Sequence, residues 1–561
     1  MSILNECERI ILTYKDIQNE ISINKDTLDK GVNHLEDLIV VNNGEVKLFD
    51  RVCNHSGGKL ISNNRGEVFC PMHNWKFNPL SGKYLNNDNS KDALNYEEDS
   101  VSIRTNLINK KLEVPNFNKK KEIGIRFLNH ACLLIESSDF KFATDPWIVG
   151  SAFSNGWWLK NPSPEDSIEE LNSCDFIYVS HNHPDHLHPE TLSLLNKNIP
   201  ILVADFRTKS SEDYLKFLGF NNLYPLKHDE GLVDHKLELF ITVLKSGDFR
   251  DDSGILIKYG EFSALMNVDT NYINFYKLPE EITFLATAFA SGASGFPLCF
   301  ENLTEKQKNT TVVRNKTSQK KINEKLVEAS NPKYFLPYAG SFDEKASRDK
   351  YINLNNSKNT VGDYSYFEGR YNLELLDFGK HDMFKFVGSN CIKKDSLNKN
   401  TMKEPIIDEV INNFKSKYTE LSHEYIEQYF RGSNYTKNFI LIVSISDDSF
   451  NELEQFIVTF GKKIMVKFNT SIDNIEEYYL KHSVNTLHMK VRKESFISVI
   501  KNLLPWEDLS IGFQTRITRY PDVYNSDFWY YFTNIYAKYN AVRLAKECDG
   551  CELISQSLAK T

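Results

Sequence analysis

Three histidines and an aspartate fall within six residues in His181-Asn182-His183-Pro184-Asp185-His186. Imidazole nitrogens and a carboxylate at this spacing suit zinc or iron, with little loop left to order. The plainer alternative is a solvated polar turn. Just upstream, Phe176-Ile177-Tyr178-Val179 is apolar and β-branched and predicts a buried strand, so the ligands sit at a rigid strand end. We read the stretch as a metal site.

A second constellation stands near the N-terminus. Cys53-Asn54-His55 is followed, after fourteen residues, by Cys70-Pro71-Met72-His73. Two such pairs on two loops can give two thiolates to one iron and two imidazoles to the other, the Rieske form of a [2Fe–2S] cluster. Gly57 and Gly58 let backbone pass close to it. A zinc site with two Cys and two His is the alternative. The run Asn74-Trp75-Lys76-Phe77-Asn78-Pro79-Leu80-Ser81-Gly82 resembles the stretch after the second pair in Rieske oxygenases and their ferredoxins, and favours iron–sulfur. Cys53, His55, Cys70 and His73 are then the cluster ligands. Such a relay has no open coordination position and implies a second redox metal or a partner protein.

These sites need several cores to position them. At 561 residues the chain exceeds one ordinary domain. A net charge of −9 argues against a general nucleic-acid binder. Residues 1–9 lack the basic and apolar regions of a secretion signal, and no long apolar run predicts a membrane span. Nine cysteines without such a signal suit reduced thiols in a cytoplasmic protein.

Three domains are expected. Residues 1–118 form an all-β Rieske module, with a hairpin turning at Asn43-Gly44. Residues 119–395 alternate strands at 123–128, 132–136 and 141–144 with the metal loop and a short helix from Pro189. Residues 396–561 read as a small α+β domain, with one amphipathic helix from Asp408 to Phe430 and strands at 438–446 and 463–469. Arg516 and Arg519 suit phosphate or carboxylate, or equally a structural ion pair. Cys548-Asp549-Gly550-Cys551 has redox spacing but no supporting context. The basic stretch from Lys306 reads as a solvated helix.

The central segment resembles the metallo-β-lactamase superfamily, which implies an αββα sandwich with metals at strand ends. His130-Ala131 and Asp145-Pro146 match one of its branches, and we take His130 and Asp145 as candidate catalytic residues. Asp248 stands where most members place a histidine, and Asp269 where the family places a bridging acid. No histidine lies near Phe335–Gly340, where the last family ligand is sought. The expected metal set is His181, His183, Asp185, His186, Asp248 and Asp269. Its oxygen-rich character favours iron over zinc.

The fusion resembles the CMP-N-acetylneuraminate hydroxylase family. Matching blocks include Asn129-His130-Ala131-Cys132, Gly156-Trp157-Trp158-Leu159, Ala290–Pro297, Pro337-Tyr338-Ala339-Gly340 and Ile511–Arg516. The resemblance implies an iron-dependent monooxygenase that inserts one oxygen atom from O2 into an N-acyl or amine substrate. It implies one or two non-haem irons, a cytochrome b5- or ferredoxin-type electron donor with its reductase, and a small-molecule substrate such as a nucleotide sugar. Two alternatives stay open: an N-oxygenase acting on another amine, and a hydrolase of the same fold with a structural Rieske module.

Overall fold

The computed structural model describes residues 3–54, 59–62, 66–70, 75–85, 88–248, 250–397, 400–533 and 535. Within it the chain is multidomain: an all-β Rieske domain, an αββα sandwich and an α+β C-terminal domain.

Two eight-stranded sheets form the centre. One runs, in spatial order, Leu223–Leu226, Ile201–Ala204, Phe176–Val179, Lys141–Thr144, Cys132–Ser137, Glu122–Asn129, Met383–Val387 and Asn390–Asp395. The other includes Leu239–Lys245, Ser253–Tyr259, Phe262–Val268, Ile282–Ala288 and Pro332–Tyr338. Their facing side chains, such as Ile125, Phe142, Tyr178, Ile257 and Met266, make one buried core. Helices cover both outer faces, so the central strands are apolar on both sides and read as continuous rather than alternating runs.

The helix Glu305–Ser330 is more than a solvated element. A capping box between Thr304 and Gln307 starts it, and Leu326 and Val327 bury against the second sheet. No described helix is long and apolar enough to cross a membrane.

The N-terminal domain closes on itself where Thr13–Asn24 pairs along its whole length with Ser102–Glu113. The hairpin Leu38–Asn42 with Val46–Asp50 forms as expected, with Gly44 at φ 94°. Glu8–Ile11 pairs with Glu230–Asp234 at the edge of the second central sheet, and Ile3 and Leu4 enter the central core.

The C-terminal sheet has the order Met465–Lys467, Glu452–Phe460, Phe439–Ser446, Thr486–Arg492, Thr515–Tyr520. The single helix expected over 408–430 is two, Ile407–Lys417 and His423–Gly432. Ser422 caps the second by accepting from the Tyr425 N–H, a local contact that outweighs the continued apolar period. This domain shares its core with the sandwich: Trp157, Phe300 and Phe342 pack with Trp506, Leu509 and Phe513. Gly156 and Gly512 cross back to back there. A Cβ on Gly156 would lie 2.0 Å from Gly512 O, and one on Gly512 would lie 2.1 Å from Phe153 O.

Candidate active site

Lys141–Thr144 and Phe176–Val179 are parallel neighbours, so Asp145 and Ser180 emerge side by side at their C-terminal ends. Asp145 is wholly buried. Its carboxylate accepts from the Ser180 N–H at 2.7 Å, the Ser180 hydroxyl at 2.8 Å and His186 Nδ1 at 3.1 Å. Having given its proton to Asp145, the Ser180 hydroxyl can only accept from His181 Nδ1, 2.9 Å away. One carboxylate thereby fixes two imidazoles with their Nε2 lone pairs outward, the outer-shell arrangement that orients metal-binding histidines.

Two overlapping groups of donors result: His130, Asp185 and His186, and His181, His186 and Asp269, each set within 4.8 Å. His186 Nε2 lies 3.3 Å from Asp185 Oδ2 and 3.4 Å from Asp269 Oδ2. His130 Nε2 lies 3.2 Å from Asp185 Oδ2. Buried His186 Nε2 and Asp185 Oδ1 have no hydrogen-bond partner, which is costly unless a cation takes their lone pairs. The donor set therefore fits a bound iron.

His183 points its Nδ1 at His181 Nε2, 2.9 Å away, and its Nε2 toward Glu507, 3.6 Å away. Burial pushes the His183 imidazole down, but the Glu507 carboxylate and nearby Asp252 lift it to about 9.

The structure brings together His130, His181, Asp185, His186 and Asp269, with Asp145 behind them; His183 lies against His181 but in neither donor group. It does not bring Asp248 into either donor group. Both Asp248 oxygens are occupied, Oδ1 by the Ser246 hydroxyl and the Arg250 N–H, Oδ2 by Arg250 Nε and Asn271 Nδ2. Arg250 in turn donates to the carbonyl of Asp269 at 3.1 Å. His130 comes from where no ligand was sought: the Ala339 N–H, at the end of Pro332–Tyr338, donates to the His130 carbonyl at 2.9 Å. The histidine missing near 335–340 is thus met in space by one from the Asn129–Cys132 turn. His188 accepts from the Thr191 N–H and starts the short helix Pro189–Ser193.

A cavity of about 610 Å³ opens over these donors, within the range of small-molecule sites. Phe153, Trp157 and Phe342 form an apolar wall beside His130, with Trp157 and Phe342 stacked at 3.6 Å. The C-terminal domain supplies Glu507, Ser510, Arg519 and Trp529. Sequence reading missed Glu507 and Ser510, although the glycine blocks at 156 and 512 mark the contact that brings them in. Arg519 pairs with Asp522 and lies over Phe300 at the cavity edge. Arg516 instead lies over Phe450 and donates to backbone carbonyls, a structural role.

In the N-terminal domain, Cys53 and Cys70 are buried in one small core with Trp75 and Tyr84. The Tyr84 hydroxyl donates to Cys53 Sγ at 3.8 Å. Two buried thiols in one core, one already accepting a hydrogen bond at sulfur, fit a cluster that such bonds tune. His55, Gly57, Gly58, His73, Cys548 and Cys551 lie outside the described residues.

Residues 15–98 match the Rieske [2Fe-2S] domain and residues 124–231 the beta-lactamase superfamily domain. The cytidine monophosphate-N-acetylneuraminic acid hydroxylase of Xenopus laevis is 30% identical over 547 residues, 89% of this chain and 88% of its own length. That of Danio rerio is 27% identical over 543 residues, 87% and 88%. The chain belongs to the cytidine monophosphate-N-acetylneuraminic acid hydroxylase family. Membership spans both metal-binding halves and makes the protein an oxidoreductase, a Rieske-type iron-dependent monooxygenase with a [2Fe–2S] cluster and non-haem iron. Like any such hydroxylase it needs an electron donor and a small-molecule substrate. Among solved structures, CmlA, a diiron beta-hydroxylase from Streptomyces venezuelae, is 19% identical with a TM-score of 0.30, covering 41% of this chain and 46% of that one. An isothiocyanate hydrolase from Delia radicum gut bacteria is 14% identical with a TM-score of 0.31, covering 47% and 99%.

Proposed function

We propose that this protein hydroxylates the N-acyl group of a CMP-sialic acid, using Cys53, His55, Cys70 and His73 to hold the cluster and His130, His181, His183, Asp185, His186 and Asp269 to hold the iron. The observation that carries this reading is the pair of overlapping donor groups sharing His186, set under a cavity roofed by the C-terminal domain. When bound, the cluster supplies single electrons and the iron supplies the place where dioxygen is reduced, one oxygen atom going to substrate and the other to water.

The protein's own residues do the rest. Asp145 fixes the ring orientations of His186 and, through Ser180, His181. Asp248 acts through Arg250 and Asn271 to hold the Asp269 loop. Phe153, Trp157 and Phe342 exclude water around the reacting acyl group. Arg519, at the cavity edge, suits the phosphate or carboxylate of a nucleotide sugar. The electron donor is of cytochrome b5 or ferredoxin type. A cytoplasmic location, where thiols stay reduced, suits a chain of nine cysteines of which two are cluster ligands.

The test is to incubate the reduced, iron-loaded protein with dioxygen and CMP-N-acetylneuraminate and to weigh the product. A gain of one oxygen atom in the acyl group is expected. An unchanged mass, with oxygen consumed and another amine oxidised, would overturn the substrate.

A further inference from the structure

We propose that the segment Asp269–Tyr276 is the electron bridge between the cluster and the iron centre. This rests on the reading that Asp269 is an iron ligand and that Cys53 and Cys70 hold the cluster.

Asp269 lies at one end of the segment, 3.4 Å from His186 Nε2. At the other, Phe275 packs against the small core that contains Cys53, Cys70 and Trp75. Among the described residues, every other member of that core comes from the N-terminal domain. Six residues along the chain therefore connect a metal donor to the cysteine core, a Cα span of at most about 20 Å even if fully extended. The segment is far from extended. Tyr272, Asn274, Phe275 and Tyr276 take φ values of 51°, 46°, 54° and 59°. Left-handed backbone is strained at residues with a Cβ and persists only where the surroundings impose it.

Those surroundings come from both domains. Gly247 donates its N–H to the Asn271 carbonyl at 2.7 Å. A Cβ on Gly247 would lie 2.5 Å from Tyr272 O and 3.2 Å from Phe275 Cδ1, so the loop before Asp248 is shaped to let the segment pack directly on it. Asn271 Nδ2 donates to Asp248 at 3.1 Å. From the N-terminal domain, the Tyr14 hydroxyl meets Asn274 Nδ2 at 3.2 Å. The first residues of the segment, Asp269, Thr270 and Asn271, line the same cavity as His183. A strained segment clamped from two domains, with a metal donor at one end and an aromatic ring in the cluster core at the other, gives a continuous covalent and packed path.

Across it one electron leaves the reduced cluster, which returns to its oxidised state, and converts ferric iron to ferrous. Two such passes, with two protons from solvent, balance the reduction of dioxygen to one inserted oxygen atom and one water. The external donor then reduces the cluster again.

The decisive variant is Phe275→Ala, studied as holoenzyme. Expected are an unchanged cluster absorbance spectrum, midpoint potential and iron content. The reoxidation of the pre-reduced cluster on mixing with dioxygen and substrate should slow by about tenfold, equivalent to about 1.4 kcal/mol of barrier. Phe275→Trp should restore the rate. Reoxidation of Phe275→Ala at the unsubstituted rate would overturn the bridge, and the unsubstituted protein would still hydroxylate normally, so the functional reading survives that result. Should Phe275→Ala lose its cluster, the unsubstituted protein decides. Loading the central site with iron should accelerate the electron-spin relaxation of the reduced cluster, and identical relaxation with and without iron would overturn the proposal.

Discussion

The Asp145 carboxylate lies 3.1 Å from Nδ1 of His186, and neither side chain is reached by solvent. The residue just past the end of one strand thus sets the ring orientation of a donor on the neighbouring strand's loop. Asp145→Asn replaces an acceptor oxygen by an NH2 that cannot receive the His186 proton. Iron affinity should fall about 10–100-fold with the fold intact. An iron titration of the variant alongside its unfolding curve checks this, and equal affinity would remove Asp145 from the positioning role.

His130 and Asp248 should behave oppositely. His130 faces Asp185 within a donor group, whereas Asp248 spends both oxygens on Arg250, Ser246 and Asn271. His130→Ala should lower the iron bound per chain. Asp248→Asn should retain iron stoichiometry, because an amide oxygen still accepts from Arg250. Elemental analysis of the two purified variants separates them, and the reverse order of iron contents would return Asp248 to the ligand set.

The glycine crossing predicts a domain-contact defect. Gly512→Ala pushes a methyl to 2.1 Å from the Phe153 carbonyl, where only backbone can yield. Overpacking of this kind costs about 1–3 kcal/mol. Gly369→Ala, in the short helix Tyr366–Arg370 with nothing near its added Cβ, is the matched control and should be neutral or slightly stabilising. Thermal unfolding followed by circular dichroism should show a lower Tm for the first only.

Asp508 makes stability pH-dependent. Burial lifts its carboxyl from 3.8 to about 8, and Oδ1 has no hydrogen-bond partner. The folded protein keeps a proton that the unfolded chain releases, so this group's contribution falls as pH rises from about 4 to about 8. Asp508→Asn cannot ionise. Its Tm relative to the unsubstituted protein should therefore rise between about pH 5 and about pH 8.5. A constant difference across that window would show that Asp508 does not carry the proton.

The loop His181–His186 was legible because its donors are neighbours in the chain and the strand before it is an unbroken apolar run. The Rieske domain was legible for the same local reason, and so were the strands over 123–144, whose burial on both faces leaves continuous apolar stretches. Tertiary structure alone decided the rest. His130 and Asp185 stand 55 positions apart and Asp145 and His186 41. Parallel pairing of Lys141–Thr144 with Phe176–Val179 brings the second pair together, and two antiparallel pairings beyond it carry His130 into place. The cavity wall needs a contact across 354 positions, where the Trp157 indole donates to the Ile511 carbonyl at 2.9 Å. Asp248 shows the limit most plainly. Its place at a strand end suggested a ligand, but the arginine two residues on folds back onto it, and which partner a buried carboxylate takes depends on three-dimensional packing rather than on its position along a strand.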